Sequence, residues 1–291
     1  RWTQREICER RLTLLHDSAL TLPLRGFEDP SRIAFVDLGR SSSSRFQKTL
    51  SDFGEFPMHR LPGSAKQDDF DDLYTKLGER DTVVVALHEM SRYASKRYGL
   101  SDGEVQFVQR VAARQKVILV VFGSPYALSR FERLESLNDP ILVAYDEKAE
   151  SQEAAARGLF GSLRIDGRLP VGAGSRFKAG DGDQLLSQRL KPSSPQEVGL
   201  SEEAQASIDS VMKHAIEIGA TPGGHILLAL NGKIFLDNTY GHHTYTRKRS
   251  VQEDDLYDLA SITKIASTTL ALMKLYEDSL IDLDKKVLDY L

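Results

Sequence analysis

The sequence predicts an open, mostly parallel α/β sheet with helices on both faces, followed by an incomplete α+β segment. Between residues 33 and 171, short and nearly continuous apolar runs alternate with amphipathic stretches. The composition, with 41% hydrophobic and 27% charged residues, is ordinary for a soluble globular protein. At about 150 residues per domain, the length of 291 residues favours two domains.

The predicted strands are apolar on both faces, as parallel strands that are covered by two helical layers require. They span residues 33–38, 82–88, 116–122 and 141–145, with a weaker candidate at 56–61. The predicted helices between them span residues 43–53, 68–78, 102–115, 125–135 and 147–161. Ser101 and Glu104 have the spacing of a capping box at the start of the third helix. Strands and helices that alternate through short loops predict a doubly wound sheet with right-handed crossovers.

In such a sheet the loops at the carboxyl ends of the strands carry the function most often. The loop Gly39–Ser44, which follows the first strand, predicts a turn that ends in a serine helix cap, with anion binding as the alternative. The loop after strand 82–88 carries a polar cluster that has the chemistry to hold a substrate or a partner: His88, Glu89, Ser91, Arg92 and Tyr93. A histidine and a glutamate that are sequence neighbours, as here, are most often a satisfied pair at the surface.

Charge and cysteine content exclude several classes of function. With 38 basic and 42 acidic residues, the formal net charge is −4, so no basic excess favours nucleic acid. The single cysteine, Cys8, excludes an intramolecular disulfide and a cysteine-built metal site, and we expect it to be buried in a helix. We predict no cofactor, because the phosphate-binding patterns GxxxxGK(S/T) and GxGxxG are absent. No apolar run approaches the ~18 residues of a membrane span, and the N-terminal residues lack the apolar core of a signal peptide.

Residues 172–200 change the character of the chain, because they are rich in Gly, Ser, Pro and charge and lack periodicity. The predicted domains are therefore 1–178 and 201–291, joined by a linker at 179–200. The second part opens with a predicted helix at 202–219. Asn231 and Gly232 then separate two apolar runs, which predicts a hairpin of strands 225–230 and 233–240. A last helix over 260–277 has little polar surface, and we expect it to be buried.

One motif in the second part has the pattern of a catalytic pair. Ser261 and Lys264 form an S-x-x-K sequence, and residues three apart on a helix lie on the same face. A lysine that is kept neutral can take the proton of a serine and make it a nucleophile. Ser175–Lys178 and Ser210–Lys213 have the same spacing, but Ser261 alone stands after a loop, at the start of a strongly apolar helix.

The segment from Pro222 through NGKIFLDNTYG to DLYDLASITKIASTTLALMKLYEDSL resembles the opening of the serine β-lactamase-like superfamily, which includes class C β-lactamases and penicillin-binding proteins. The resemblance covers about residues 195–291 and implies that Ser261 is the acylated nucleophile and Lys264 its activator. The family's tyrosine triad and its Lys/His-x-Gly strand would come after Leu291. We therefore expect that residues 1–291 alone do not complete acyl transfer, and that both ends of this chain are cuts in a longer protein.

The first part resembles the C-terminal α/β sandwich of glycoside hydrolase family 3, in the β-N-acetylglucosaminidase branch. The segments EICERRLTLLHDSALTLPLRG and LFGSLRIDGRLPV carry this resemblance over about residues 1–178. It implies a flavodoxin-like sandwich beside a separate TIM barrel that holds the catalytic aspartate and histidine and binds a carbohydrate or peptidoglycan-type substrate. His88, Glu89 and Arg92 would at most border the cleft of that barrel. The resemblance further implies a periplasmic or cell-envelope location.

Together these patterns predict a fragment of a cell-envelope hydrolase fusion. Two hypotheses of other classes stay open. The chain is alternatively a non-catalytic module that docks on a TIM-barrel glycosidase domain, and a nucleotide-binding flavodoxin-like domain is a third reading that the missing phosphate fingerprints disfavour. The oligomeric state, the sugar and the acyl substrate are not predicted.

Overall fold

A computed structural model describes residues 3–17, 21–24, 29–131 and 139–290. The chain divides into two compact units, of which the first comprises Arg1–Ser194 and Ala229–Ile234. The second comprises Pro195–Leu228 and Phe235–Leu291. The domain boundaries at 1–178, 179–200 and 201–291 stay a prediction.

The first unit is built on a six-stranded sheet. Its strands are β1 (Thr13–Leu15), β2 (Ile33–Gly39), β3 (Met58–Pro62), β4 (Thr82–Leu87), β5 (Lys116–Val121) and β6 (Ile141–Val143). They lie in the order β1-β6-β5-β4-β2-β3, and every pair is parallel except β1 with β6. Without β1 this is the flavodoxin order, in which the winding reverses between β2 and β4. The predicted doubly wound, mostly parallel sheet is confirmed.

Helices cover the sheet where the sequence predicts them. They are α1 (Gln4–Arg11), α2 (Arg45–Leu50), α3 (Gln67–Leu77), α4 (Asp102–Ala112) and α5 (Ala149–Leu159). The predicted capping box at α4 is confirmed, because Glu104 donates its amide to Ser101 Oγ over 3.1 Å while Ser101 donates its own to Glu104 Oε2 over 2.7 Å. Cys8 is buried in α1, as expected. The predicted helix 125–135 is a 3₁₀ helix over Pro125–Phe131, and residues 132–135 lie outside the described residues.

Two apolar cores lie on the two faces of this sheet, because successive side chains of a strand point to opposite faces. On β2, Val36 and Leu38 pack in the core beneath α3 and α4, whereas Ile33 and Phe35 pack in the other core with Phe46 of α2. Alternation along β2 therefore places Asp37 on the second face. A carboxylate on an apolar face of a central strand needs a partner, and this requirement shapes the site described below.

The first unit also contains pairings that the sequence pattern does not reveal. The three-residue strand β1 is too short to show a period, and it pairs antiparallel with β6 at one edge of the sheet. Within the predicted linker, Asp183 bridges to Leu14 and Leu185 to Ile165. A two-residue strand β7 (Lys191–Pro192) follows, and Lys191 pairs with Glu9 of α1 over 2.6 Å. Part of the predicted linker therefore packs against the sandwich.

The predicted helix and the predicted hairpin follow β7 along the chain. Helix α6 spans Glu202–Glu217, and the hairpin joins β8 (Gly223–Leu230) to β9 (Lys233–Gly241). Asn231 and Gly232 have φ angles of 52° and 77°, and two successive positive values are typical of the type I′ turn that the Asn-Gly pair predicts.

The expectation that the last helix is buried is wrong. It consists of a π-helical stretch over Lys264–Thr269 and helix α7 (Leu270–Glu277). Ile265 is 70% exposed and Met273 60% exposed. An apolar helix is buried only where other elements cover it, and no element among the described residues covers these side chains. Nor is any helix within the described ranges long and apolar enough to cross a bilayer.

We expect Gly39→Ala to destabilise the first unit by about 2 kcal/mol or more, since a left-handed backbone and a clash act together. Gly39 has a φ of 94°, and a Cβ there would lie 2.6 Å from the backbone oxygen of His88. The matched control is Gly63→Ala, because a Cβ at Gly63 meets nothing within 4 Å. Urea unfolding measures both variants, and an unchanged midpoint for Gly39→Ala would contradict the stated packing.

Candidate functional site

The structure brings Ser261 and Lys264 together. Lys264 Nζ donates a hydrogen bond to Ser261 Oγ over 3.1 Å. Ser261 lies in the turn that opens the last helix, and Lys264 donates its backbone amide to the carbonyl oxygen of Ser261 over 3.1 Å. This is the geometry that the S-x-x-K spacing predicts. Their catalytic roles stay a prediction.

The backbone around Ser261 is unusual on both sides. Ala260 has a φ of 44°, a left-handed conformation that costs a residue with a Cβ about 1–3 kcal/mol. Its amide donates to Asp258 Oδ1 over 2.8 Å, which helps to hold the turn. The π-helical stretch then begins at Lys264 itself. Strained residues and π-bulges both occur frequently at functional sites, so the local backbone agrees with a functional role for the pair.

The hydrogen bond between Lys264 and Ser261 runs in the direction opposite to the one that proton transfer needs. Lys264 donates to Ser261, whereas a base must be neutral and accept the serine proton. Burial or neighbouring cations favour the neutral amine, but both side chains are exposed. The described residues therefore supply the pair but not the dry surroundings that would activate it.

The two other S-x-x-K matches have different settings. Ser210 and Lys213 lie within α6, and Ser175 and Lys178 lie outside the helices and strands. Neither serine begins a helix, so neither has the position of Ser261. Ser210 and Lys213 thus provide a built-in control for experiments on the motif.

A second cluster of ionisable groups lies where the winding of the first sheet reverses. His88, which directly follows β4, has a fully buried side chain between two carboxylates. Its Nε2 lies 3.2 Å from Oδ1 of Asp37, and its Nδ1 lies 3.0 Å from Oε1 of Glu147. Arg40 Nη1 lies 2.6 Å from the same Glu147 oxygen. The four groups make a neutral set when His88 is protonated.

The electrostatics favour that protonated state. Burial alone would lower the pKa of His88, but the contacts with Asp37 and Glu147 outweigh burial and hold the pKa above its ordinary value. Burial would raise the pKa of Glu147, but bonds from His88, Arg40 and the Glu89 amide hold it below its ordinary value. The His88 ring also stacks on Phe122, with 4.8 Å between the ring centroids.

The predicted polar loop therefore has a different internal arrangement from the one expected. The expectation of a surface pair between His88 and Glu89 is wrong, because His88 is buried and its carboxylate partners are Asp37 and Glu147. Glu89 is exposed, and its backbone amide donates to Glu147 Oε2 over 2.8 Å. Arg92 is exposed and donates to the hydroxyl of Tyr93 over 2.8 Å. That His88, Glu89 and Arg92 border a substrate stays a prediction.

Asp37 and Glu147 of this cluster were not predicted as site residues, although both stand out in the sequence. Asp37 is the one charged residue in the apolar run IAFVDL, and Glu147 comes soon after the run ILVAY. Both positions lie at or near the carboxyl ends of strands that fold onto one sheet. The turn predicted over Gly39–Ser44 is confirmed, because Ser44 Oγ accepts the amide of Gln47 over 2.9 Å and caps α2. Across the described residues, no cluster of three or more His, Cys, Asp or Glu side chains is arranged to hold a metal ion.

Comparison with known families agrees with the resemblance of the second part. A family model described as "Beta-lactamase" matches residues 208–291, which include Ser261 and Lys264. Protein flp of Staphylococcus aureus is 35% identical over 88 residues, which amount to 30% of this chain and 18% of that protein. The resemblance to the serine β-lactamase-like superfamily is confirmed. The chain spans under a fifth of the length of the curated relatives that it matches.

Solved structures with similar coordinates include a β-glucosidase and a glycoside hydrolase of family 3. A β-glucosidase from Listeria innocua has a TM-score of 0.47 at 16% identity, over 58% of this chain and 26% of that one. A family 3 β-N-acetylglucosaminidase from Paenibacillus has a TM-score of 0.40 at 16% identity, over 55% of this chain and 30% of that one.

We expect the stability of the first unit to fall as the pH rises above about 6.5. The pKa of His88 is higher in the folded state than in the unfolded state, so its contribution is complete below the unfolded value and is lost through the folded one. Each unit of difference between the two pKa values corresponds to about 1.4 kcal/mol. Urea unfolding across this pH range measures the effect.

The matched control is His59→Gln in β3. Burial lowers the pKa of the half-buried His59, so its titration lies below this window and the variant should keep the wild-type pH dependence. His88→Gln should lose that dependence. A free energy of unfolding that does not change between about pH 6.5 and 9 in the wild type would contradict the assignment.

Proposed function

We propose that this chain is a fragment of a bacterial cell-envelope hydrolase fusion that acts on peptidoglycan-type substrates. The second unit would supply the nucleophile of a serine acyl hydrolase. The first unit would be the α/β sandwich of a β-N-acetylglucosaminidase-type glycoside hydrolase of family 3. A periplasmic or cell-envelope location belongs to the same proposal.

The hydrogen bond between Lys264 Nζ and Ser261 Oγ is the single observation that carries the acyl-hydrolase proposal. In the proposed reaction, Ser261 Oγ attacks the carbonyl carbon of an amide or ester while its proton passes to a neutral Lys264. The leaving group departs with a proton, and an acyl–serine ester remains. Water then attacks this ester, the acid product leaves, and Ser261 regains its hydrogen.

The position of the pair supports the same assignment. Ser261 lies in the turn that opens the last helix, and the positive end of a helix favours the negative charge that develops on attack. The left-handed Ala260 fixes the approach of the chain to Ser261. The match of residues 208–291 to the β-lactamase family model covers the whole of this local structure.

We propose further that residues 1–291 alone do not turn over an acyl substrate. Both side chains of the pair are exposed, so the lysine lacks the burial that would favour its neutral form. An oxyanion donor contributes about 3–4 kcal/mol to such reactions. The resemblance assigns one of these donors to a Lys/His-x-Gly strand that would follow residue 291.

The glycosidase proposal rests on the order of the sheet and on the sequence resemblance through LFGSLRIDGRLPV. In this proposal the sandwich is structural, and its exposed residues Glu89 and Arg92 border the cleft of a barrel that carries the catalytic carboxylate. Both residues lie in the loop at the carboxyl end of β4, next to the point where the winding reverses. That is the edge at which open α/β sheets bind ligands.

Covalent labelling tests the acyl-hydrolase proposal. We expect that a protein which contains this chain and extends beyond residue 291 reacts with a fluorescent penicillin or a fluorophosphonate at Ser261. Ser261→Ala should abolish the label, and Lys264→Met should slow labelling by about 100-fold or more, the range for loss of a general base. The adduct is located by mass spectrometry of the tryptic peptide.

Ser210→Ala is the matched control, because it removes the serine of an identical motif from the exposed face of α6. It should label at the wild-type rate. Labelling that persists in Ser261→Ala would assign the nucleophile elsewhere. No labelling of the extended protein by either probe would overturn the proposal and favour the non-catalytic docking module.

A further inference from the structure

The loop that follows β4 begins at a residue whose backbone is held by the buried charge cluster. Glu89 has a φ of 50°, and its amide donates to Glu147 Oε2 over 2.8 Å. Non-glycine residues keep a left-handed conformation only where their surroundings enforce it. Glu147 therefore holds the first residue of the loop Glu89–Leu100 in its left-handed conformation.

Beyond its first residue, the loop is held together by hydrogen bonds between its own residues. Ser91 donates its amide to the carbonyl oxygen of Tyr98 over 2.8 Å, and Tyr98 donates its own to that of Tyr93 over 3.1 Å. Arg97 pairs with Asp102 at the start of α4. At the near end, Met90 packs against the core beneath α3 and α4, and the Glu89–Glu147 hydrogen bond fixes the backbone of Glu89 itself.

Among the described residues, the charged groups that face His88 come from three places in the first sheet and its loops. Strand β2 contributes Asp37, the loop after β2 contributes Arg40, and the segment between β6 and α5 contributes Glu147. The residue after His88 contributes the Glu89 carboxylate, which is exposed, and the end of β5 contributes the uncharged ring of Phe122. Protonated His88 contacts both carboxylates at once.

We propose that loss of the His88 proton frees Glu147 from the start of the loop Glu89–Leu100, so that the cluster acts as a pH-operated latch on this loop. The inference does not depend on the proposed function. It concerns the position of Arg92 and Tyr93, which the loop carries at the carboxyl edge of the sheet.

The direction of the change follows from the unequal surroundings of the two carboxylates. Within the described part of the chain, neither oxygen of the fully buried Asp37 receives a well-aligned hydrogen bond, and His88 Nε2 is the cation beside it. Glu147 is one-quarter exposed and keeps Arg40 as a partner. An unpaired carboxylate raises the free energy of the fold more at the fully buried Asp37 than at the partly exposed Glu147. The remaining ring proton therefore stays on Nε2, beside Asp37.

The nitrogen that faces Glu147 then carries a lone pair instead of a proton. A lone pair and a carboxylate oxygen 3.0 Å apart repel each other, and Glu147 has access to solvent. As Glu147 turns outward with Arg40, it withdraws its second oxygen from the Glu89 amide. The left-handed conformation of Glu89 is then no longer enforced, and the backbone at Glu89 relaxes.

Amide exchange resolved by NMR on the ¹⁵N-labelled chain tests this latch. We expect the protection factor of the Glu89 amide, corrected for the intrinsic effect of pH, to fall about tenfold or more as the pH rises from about 6 to about 9. The fall in protection should follow the titration of the His88 ring. The ¹⁵N chemical shifts of that ring should show that the proton remains on Nε2 at high pH. Protection of the buried β4 amides should change much less.

Glu147→Gln separates the latch from a general loss of stability. Its neutral side chain is not repelled as a carboxylate is by the lone pair of the neutral imidazole, so the protection of Glu89 should lose its dependence on pH. Glu150→Gln, which removes a charge from the first turn of α5, is the matched control and should respond as the wild type does. Constant Glu89 protection in the wild type, or an unchanged pH response in Glu147→Gln, would overturn the proposal.

Discussion

The first unit depends on one buried ionic contact, the imidazolium of His88 between the carboxylates of Asp37 and Glu147. An isolated carboxylate inside a protein is destabilised by several kcal/mol, so the sheet contains Asp37 only because a cation is fixed beside it. That cation sits at the residue after β4, next to the glycine that ends β2. The contact therefore joins the two strands at the place where the winding reverses and the flanking loops diverge.

The close approach of the two strands has the same origin. His88 reaches Asp37 because its backbone lies against Gly39, where no Cβ fits. The remaining nitrogen of the ring then faces the segment that leads into α5, and Glu147 ties the loop after β4 to it. Three features therefore depend on one another here: the strand order, the lack of room for a side chain at Gly39, and the charge-neutral cluster.

The sequence predicted what local periodicity and spacing determine. Nearly continuous apolar runs located β2, β4, β5 and β6, and the Asn-Gly pair located the hairpin turn. The contact of Ser261 with Lys264 also followed from spacing, since residues three apart share a helix face. The three-residue β1 escaped prediction because it forms only by pairing with β6, more than a hundred residues later.

The tertiary features were not predictable in this way. Glu147 lies 59 positions from His88, and no local rule joins them. The last helix shows the opposite error, because an apolar sequence predicts burial only where a covering element exists. Ile265 and Met273 are exposed among the described residues, so an apolar pattern that predicts a buried helix occurs here in an exposed one.

The antiparallel strand β1 has a consequence for how the protein behaves in concentrated solution. It occupies the outer edge of β6 with only three residues, and it leaves no long parallel edge open on that side. Unpaired strand edges are templates for joining the sheets of different molecules. Strand β1, with the bridge from Leu14 to Asp183, therefore covers an edge of β6 that another molecule could otherwise join.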